Sequence, residues 1–473
     1  MDSIVHHHSP SLQPRIFLMP YAQDFGAAAD GTTDDTEALQ HALDEGDGVL
    51  KLAKGTYRIT RPLLLDATKL GYVSVRGEGG TSRLVMEGAG PALRIVGDHR
   101  GTAQPDSVKP HTWEKERFPI VSGLEILGKH PEADGIELRK TMQTTISNVL
   151  VRNCRVAIHL VERNRNFLLA DSHIYDNSLY GVFFDKCNLH QINICGNHIS
   201  YNRRAGIKSL DGDVHNLQIT GNDIEYNNRP GIDTPEEGGA EIDFEAPEGV
   251  ISEVTIASNT IQATIQPGGA NVRIRGPQTD SGHGARLIAI TGNVLGSQTR
   301  GIEMHYAQRV AISGNTIYSS QDRSILAEAC SGFSIVGNTI SWRGTAEKPK
   351  IDGILLDGCD SGVISGMVCE ALGAGDEDAG GGIHLRGCRD VAVSESQILD
   401  ALVRGVELED CVRCRVSGNS IVDRREQPTM LEGVRVRGMS RGNLVQNNML
   451  GGAVREGVVA EEGMAVLQGN VEV

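Results

Sequence analysis

The stretch GIEMHYAQRVAISGNTI, residues 301–317, decides the fold of this chain. It contains a glycine, an alternation of apolar residues, a short polar turn, a second apolar alternation and a Gly-Asn bend. The phrase returns as GILLDGCDSGVISGMV from Gly353, GIHLRGCRDVAVSESQI from Gly382 and GVELEDCVRCRVSGNSI from Gly405. The phrase recurs every ~22–37 residues, and within each repeat the apolar residues alternate with a period of two. This combination is typical of a solenoid built from strands.

The Gly-Asn bends predict a ladder of stacked asparagines. Asparagine tolerates the left-handed backbone region that a sharp bend requires, and its side chain can hydrogen-bond the bends above and below. The expected ladder is Asn197, Asn222, Asn259, Asn293, Asn315, Asn338, Asn419, Asn448 and Asn470, with two rungs near Ser365 and Ser396 where the asparagine is lost. Each coil should then hold three short strands, and neighbouring coils should lie about 4.8 Å apart.

The amino-terminal part adds a second pattern, DFGAAADGTTDDTEALQHAL (24–43), GVLKLAKGTYRIT (48–60) and VRGEGGTSRLVM (75–86). With the repeats, it resembles the right-handed parallel β-helix of the pectate lyase and polygalacturonase superfamily. The resemblance implies an all-β fold, a right-handed single-stranded parallel β-helix. Asp34, Asp35, Thr36 and Glu37 read as a helix start with acids at its positive end, which predicts a short amino-terminal capping helix.

A solenoid grows by repetition, so the 473 residues are expected to form one elongated domain. We predict an extension over 1–20 and a single β-helix domain over 21–473, with the cap and first coils in 21–130 and the repeat coils in 131–473. The formal net charge of −16 argues against nucleic-acid and anionic-membrane partners. No apolar run reaches ~18 residues, which predicts no membrane span. No signal core is visible at the amino terminus, which predicts a cytoplasmic protein unless a leader was omitted.

Five of the nine cysteines fall at one point of the repeat, just after the GIxL phrase. They are Cys187, Cys330, Cys359, Cys388 and Cys411. We expect an inward row of free thiols that behaves as a small apolar stack. A disulfide between adjacent rungs is geometrically open.

Period-2 alternation also places side chains in two outward columns on the first strand of each coil. In the resembled superfamily the substrate groove lies along this sheet. Across three consecutive coils the columns are almost entirely charged, and long inserts flank them, which is typical of a functional site. The charged residues are Glu241, Asp243, Glu245, Arg273, Arg275, Glu303 and His305.

This patch suits glycosidic cleavage, which needs one carboxylic acid and one carboxylate. Asp243 and Glu303 are the predicted acid/base pair, about 10 Å apart at the backbone, and Glu245 is the alternative partner, about 7 Å from Asp243. Arg273 would keep one acid ionised while the other keeps a raised pKa. The side chains predicted to bind the polysaccharide or oligosaccharide substrate are Lys208, Arg273, Arg275, His305, Glu241, His283 and Glu328.

Three alternatives remain open. The resemblance also fits a lyase that acts on an anionic sugar, with carboxylates holding Ca²⁺ and an arginine or lysine as base. A carbohydrate-binding spike would use the groove without catalysis, and the chain could be a monomer or a homotrimer. The charged columns could also form only a cross-strand ion-pair ladder, and the acids from Glu236 to Glu248 a solvated loop or a Ca²⁺ site.

Polygalacturonase-like hydrolases carry Asn-Thr-Asp, Asp-Asp, Gly-His-Gly and Arg-Ile-Lys motifs on successive coils. Here RIR (273–275) precedes GHG (282–284), the Asp-Asp motif is absent from this region, and the nearest acidic pair is Asp243/Glu245. The order is therefore reversed, and polygalacturonase activity is not assigned from these matches.

Overall fold

The computed structural model describes residues 21–101, 104–228, 238–278, 284–341 and 353–473. The chain winds as a right-handed parallel β-helix, and the strand pairings between consecutive described coils are parallel. This confirms the predicted fold class. Residues 1–20, the predicted extension, lie outside the described residues.

Strands are numbered β1–β46 in chain order. The first strands of the coils are β4 (Leu63–Asp66), β7 (Gly90–Val96), β10 (Ala133–Arg139), β17 (Ala205–Leu210), β20 (Ala240–Glu245), β23 (Ala270–Arg275), β26 (Arg300–His305), β29 (Arg323–Glu328), β32 (Ile354–Asp357), β35 (Ile383–Arg386), β38 (Arg404–Glu409), β41 (Glu432–Arg437) and β44 (Glu456–Ala460). Two long strands, β13 (Val156–Ala170) and β15 (Tyr180–Cys195), continue from the first strand position into the second.

The second strands are β2 (Val49–Leu52), β5 (Ser74–Gly77), β8 (Ile120–Ser122), β11 (Thr145–Ser147), β18 (Asp213–Thr220), β21 (Val250–Ala257), β24 (Ala285–Thr291), β27 (Gln308–Ser313), β30 (Ser334–Val336), β33 (Asp360–Ser365), β36 (Arg389–Ser394), β39 (Arg415–Ser417), β42 (Asn443–Gln446) and β45 (Ala465–Gln468). Because β13 and β15 are continuous, first and second strands join into one sheet of 29 strands.

The third strands form a sheet of 17. They are β1 (Asp30–Asp34), β3 (Gly55–Ile59), β6 (Ser82–Met86), β9 (Leu124–Gly128), β12 (Leu150–Arg152), β14 (His173–Tyr175), β16 (His198–Ser200), β19 (Asp223–Glu225), β22 (Thr260–Gln262), β25 (Val294–Gly296), β28 (Thr316–Tyr318), β31 (Thr339–Ser341), β34 (Val368–Glu370), β37 (Gln397–Leu399), β40 (Ser420–Val422), β43 (Met449–Gly451) and β46 (Val471–Glu472).

Two helices lie near the amino end, α1 (Thr36–Glu45) and α2 (Ala67–Leu70), with 3-10 turns at Ala22–Phe25 and Pro105–Ser107 and a π turn at Thr112–Glu116. Helix α1 is the predicted cap, and it buries Leu39 and Leu43 against the first coil. Asp35 occupies the N-cap position without a capping hydrogen bond, because its carboxylate accepts hydrogen bonds from the backbone N–H groups of Ala28 and Ala29. The helices of the described residues are too short and too polar to cross a membrane.

The core is a stack of aliphatic side chains along the axis, closed at one corner by the asparagine ladder. Each ladder amide donates to the amide oxygen of the next asparagine at 2.9–3.0 Å, from Asn197 to Asn338 and again from Asn419 to Asn470. The gap is filled by Met367 and Ser396. The first missing rung is therefore Met367, two residues beyond the predicted Ser365.

The nine cysteines are free. Cys330, Cys359, Cys388 and Cys411 form the predicted buried row, in which the thiol of each donates to a backbone carbonyl of the preceding coil. Cys187 is buried at the equivalent point of an earlier coil, where burial raises its pKa to about 12. These thiols are packing groups.

Candidate functional site

The two outward columns have the predicted register. In the first column, Lys208 pairs with Asp243, Asp243 with Arg273, and Arg273 with Glu303. In the second column the order is Leu210, Glu245, Arg275, His305 and Glu328. Strands β17, β20, β23, β26 and β29 therefore bring the charged residues of distant sequence positions into one patch.

The first column lies deep. Lys208 and Asp243 are each 6 % exposed, and Arg273 and Glu303 are each 1 % exposed. Asp243 Oδ2 accepts a hydrogen bond from Lys208 Nζ at 2.9 Å, while Asp243 Oδ1 is buried without a hydrogen-bond partner among the described residues. These four residues form the floor of the patch.

Glu303 is the centre of a buried ion-pair network. It accepts hydrogen bonds from Arg273 Nη2 at 2.9 Å and from His305 Nε2 at 2.7 Å, and Arg300 Nη1 lies 3.2 Å away. Burial by itself would raise the pKa of Glu303, but the hydrogen bond from His305 and the charges of Arg273 and Arg300 hold it well below the ordinary value. An acid so strongly held in its ionised form is poorly suited to donate a proton.

The second column is open to solvent. Glu245 Oε1 lies 3.0 Å from Arg275 Nη1 and 3.3 Å from Lys208 Nζ, and His305 Nδ1 lies 2.8 Å from Glu328 Oε2. A cleft of ≈ 700 Å³ opens over these residues. Its lining is Glu245, Pro247, Glu248, Arg275, Gly276, Gln278, His305, Tyr306 and Glu328.

Glu241 does not line the groove. It is fully buried, and its Oε2 accepts hydrogen bonds from the backbone N–H and the side-chain amide of Asn227. It thereby ends a second, shorter ladder that runs through Asn177 and Asn202 to Asn227. The expected role of Glu241 in substrate binding is not supported, because its carboxylate is enclosed within the coil.

Burial raises the pKa of Glu241 well above its ordinary value, and the two hydrogen bonds from Asn227 offset this only in part. The carboxyl group therefore contributes stability that is fully present below the ordinary value of 4.5 and is lost as pH rises through the folded-state pKa. Glutamine stays neutral throughout. We expect the free energy of unfolding of Glu241→Gln, relative to wild type, to increase from pH 4 to pH 8 in urea titrations. Glu248→Gln, an exposed change, is the control, and a pH-independent difference for Glu241→Gln would contradict the expectation.

Several predicted features lie outside the described residues. His283, Glu236 and Glu237 are among them, so the predicted substrate contact of His283 and the interpretation of the acidic loop stay predictions.

The carboxylates of the patch do not favour Ca²⁺. Lys208 contacts both Asp243 and Glu245, Arg275 contacts Glu245, and Arg273 contacts Glu303. Each carboxylate is thus already neutralised by a cationic side chain, and the three do not converge as a set of free oxygen ligands.

Arg300 and Tyr306 belong to the site but were not predicted from the sequence. Arg300 reaches Glu303 from three positions earlier on β26, and Tyr306 follows His305 into the cleft. Arg300 lies outside the two columns that the alternation identifies. Its only sequence signal was the i, i+3 spacing to an acid.

A second buried network lies farther along the first column. Glu407 accepts hydrogen bonds from Arg435 Nε at 3.0 Å and Arg437 Nε at 2.6 Å, and Arg404 is buried beside Glu432. His384 contacts Glu409 at 3.0 Å. A buried glutamate that is hydrogen-bonded and neutralised by arginines thus occurs more than once in this sheet. This recurrence favours a structural role for Glu303 as well.

The fold and the groove define a parallel β-helix protein of the pectate lyase type. Residues 125–246 and 248–470 match the family described as "Right handed beta helix region", and the chain belongs to this family. Residues 21–91 match the family described as "Rhamnogalacturonase A/epimerase, pectate lyase-like", which confirms the resemblance seen in the amino-terminal motifs.

Solved structures share the fold at low identity. The Agl-KA catalytic domain has a TM-score of 0.55 and 13 % identity, over 93 % of this chain and 70 % of that chain. The A-module of the Azotobacter vinelandii mannuronan C-5 epimerase AlgE6 has a TM-score of 0.45 and 16 % identity, over 96 % and 99 %. The Dettilon tailspike protein has a TM-score of 0.49 and 17 % identity, over 93 % and 68 %. No curated protein matches the sequence significantly. At these identities the likeness concerns the fold alone.

Proposed function

We propose that this protein is a carbohydrate-active enzyme that hydrolyses glycosidic bonds of a polysaccharide or oligosaccharide bound along the first strands of the coils. The observation that carries the proposal is the open cleft of ≈ 700 Å³ lined by Glu245, whose carboxylate contacts the same lysine, Lys208, as the buried Asp243 does. The pectate lyase-like match of residues 21–91 supports it at the level of the family.

We assign the reacting roles to Asp243 and Glu245. Lys208 Nζ contacts Asp243 Oδ2 at 2.9 Å and Glu245 Oε1 at 3.3 Å, so one ammonium group holds the two carboxyl groups close together. Glycoside hydrolysis uses two carboxyl groups on either side of the scissile bond, one to protonate the leaving oxygen and one to act on the anomeric carbon directly or through water. Glu245 is presented to the cleft, and Asp243 completes the pair from the groove floor.

Glu303 receives a different role from the one the sequence suggested. Its contacts with Arg273, Arg300 and His305 make it the anchor that orients these side chains. Because Arg275 Nη2 also lies 3.5 Å from Glu303 Oε1, the same anchor positions the guanidinium that faces Glu245. Glu303 is therefore a positioning residue in this proposal.

The cleft wall supplies the groups that would bind sugar. Arg275 and Glu328 offer donors and acceptors for hydroxyl groups, the ring of His305 lines the wall with its two nitrogens held by Glu303 and Glu328, and the Tyr306 side chain provides an aromatic surface with a polar tip. The lining holds three carboxylates, one guanidinium and one imidazole, which suits a neutral glycan.

The experiment incubates the protein with a panel of neutral and uronic-acid polysaccharides and follows reducing ends and the ultraviolet absorbance of unsaturated products in the same tubes. Reducing ends without absorbance are expected. Both signals together would show that the reaction is β-elimination and not hydrolysis. Lys208, Arg273 and Arg275 would then be tested as the base. Absence of both signals, with retained binding on a glycan array, would overturn catalysis in favour of recognition alone.

A further inference from the structure

A pair of stacked histidines lies on the outer face of the second strands, away from the groove. His190 on β15 pairs in register with His215 on β18. Their rings are parallel within 4°, with centroids 4.9 Å apart. The lone pairs of two imidazoles on adjacent coils are thereby brought to one side of the sheet.

Asp213 completes the cluster. It lies two residues before His215 on β18, so both side chains project from the same face. Asp213 Oδ1 lies 2.8 Å from His215 Nε2, and Asn188 donates to the other oxygen, Oδ2, at 2.6 Å. One ligand atom each from His190, Asp213 and His215 lies within 4.8 Å of the other two.

A second carboxylate lies close to the cluster. Glu253 Oε2 is 3.7 Å from His215 Nδ1, the nitrogen away from Asp213, which is too long for a hydrogen bond but adds negative charge beside the three ligands. His190 Nδ1 is buried without a hydrogen-bond partner among the described residues.

We propose that His190, Asp213 and His215 bind a divalent transition-metal ion, with Zn²⁺ as the best fit. Two imidazole nitrogens and one carboxylate oxygen are a donor set that Zn²⁺ uses, and a water would take the fourth position. Zn–N and Zn–O distances of ~2.0–2.2 Å require ligand atoms ~3.3 Å apart, which small side-chain rotations reach from the present arrangement. Arg163 and Arg165, one coil before Asn188 and His190, oppose a cation, and the charges of Asp213 and Glu253 offset them.

The ligands come from two consecutive coils, so a bound ion would link β15 to β18. An ion that binds only the folded chain raises its stability. The site lies on the second strands and not on the first, so it is independent of the proposed hydrolysis.

The test titrates the protein with Co²⁺, a spectroscopic substitute for Zn²⁺, and then displaces it with Zn²⁺. The run His6, His7 and His8 can bind the same ions, so every sample carries His6→Ser, His7→Ser and His8→Ser. One equivalent of Co²⁺ should give the visible absorption of a four-coordinate ion. Since loss of a group that merely orients a ligand weakens binding ~10–100-fold, Asp213→Asn and His190→Ala should each weaken it at least ~10-fold.

His173→Ala is the matched control, because His173 and His198 form a similar stacked pair on the third strands, 5.0 Å apart and parallel within 8°. It should leave the affinity unchanged. Thermal melting in chelator checks that each variant folds, and at one Zn²⁺ concentration the Tm of the parent and of His173→Ala should rise more than that of Asp213→Asn. Equal affinity of Asp213→Asn and the parent, or no spectral change with Co²⁺, would overturn the proposal.

Discussion

Glu303→Gln is expected to lower the free energy of unfolding by about 3–5 kcal/mol, because it leaves buried arginine charges without their partner. Glu303 is 1 % exposed and contacts Arg273 at 2.9 Å and Arg300 at 3.2 Å. Because glutamine has the same size as glutamate, the decrease in the free energy of unfolding reports the lost charge interaction and not a cavity. Urea unfolding at neutral pH gives the value, provided that the slope of the transition is unchanged.

The matched control is Glu328→Gln, since that side chain is 42 % exposed and contacts His305 at 2.8 Å. Exposed pairs contribute ~0–1 kcal/mol, so this variant should unfold almost as wild type does. The double variant Arg273→Gln/Glu303→Gln should lose less than the sum of the two single changes. Because the pKa of Glu303 is lowered in the folded protein, its contribution is present above the ordinary value of 4.5 and shrinks as pH falls.

The same variant separates two roles for Glu303. If Glu303 is one member of the acid/base pair predicted from the sequence, glutamine should abolish activity and leave stability nearly unchanged. An anchor of buried arginines should instead lose stability first. If the free energy of unfolding of Glu303→Gln equals that of Glu328→Gln, the anchoring role is wrong.

Glu245→Gln is expected to reduce kcat by ~10²–10⁴-fold, the usual contribution of a positioned acid or base. The substituted glutamine would keep the size of the side chain and could still approach Arg275, whose Nη1 lies 3.0 Å from Glu245 Oε1. Binding and stability should therefore change little. The measurement is kcat and KM on whichever polysaccharide the reducing-end assay identifies, together with the Tm.

Glu248→Gln is the companion variant, since Glu248 lines the same cleft three residues later. It should retain nearly full kcat. A Glu245→Gln enzyme that keeps more than about a tenth of the wild-type kcat would remove Glu245 from the reacting pair, because loss of an acid or base costs at least ~10²-fold.

Local pattern was sufficient for the architecture. The alternation of GIEMH in 301–305 predicted which side chains point out of the coil, and the parallel pairing of β20, β23, β26 and β29 has the expected register. The asparagine ladder was predictable for the same reason, since each bend repeats one local conformation. The one displaced rung, Met367, shows that a side chain of another type can occupy the bend while the coil continues.

The sequence by itself determined the β-helix, its two outward columns and the charged patch, because strand alternation and bends are encoded within one coil. Only the tertiary structure decided how deep each charge lies. Strand alternation predicts that Glu241 and Glu303 share the face of Glu245, yet Asn227 holds the first within the coil and arginines from two coils surround the second. Burial and pKa depend also on neighbours in other coils, such as Asn227 for Glu241 and Arg273 for Glu303, 14 and 30 residues away in sequence, which the period of one strand does not specify.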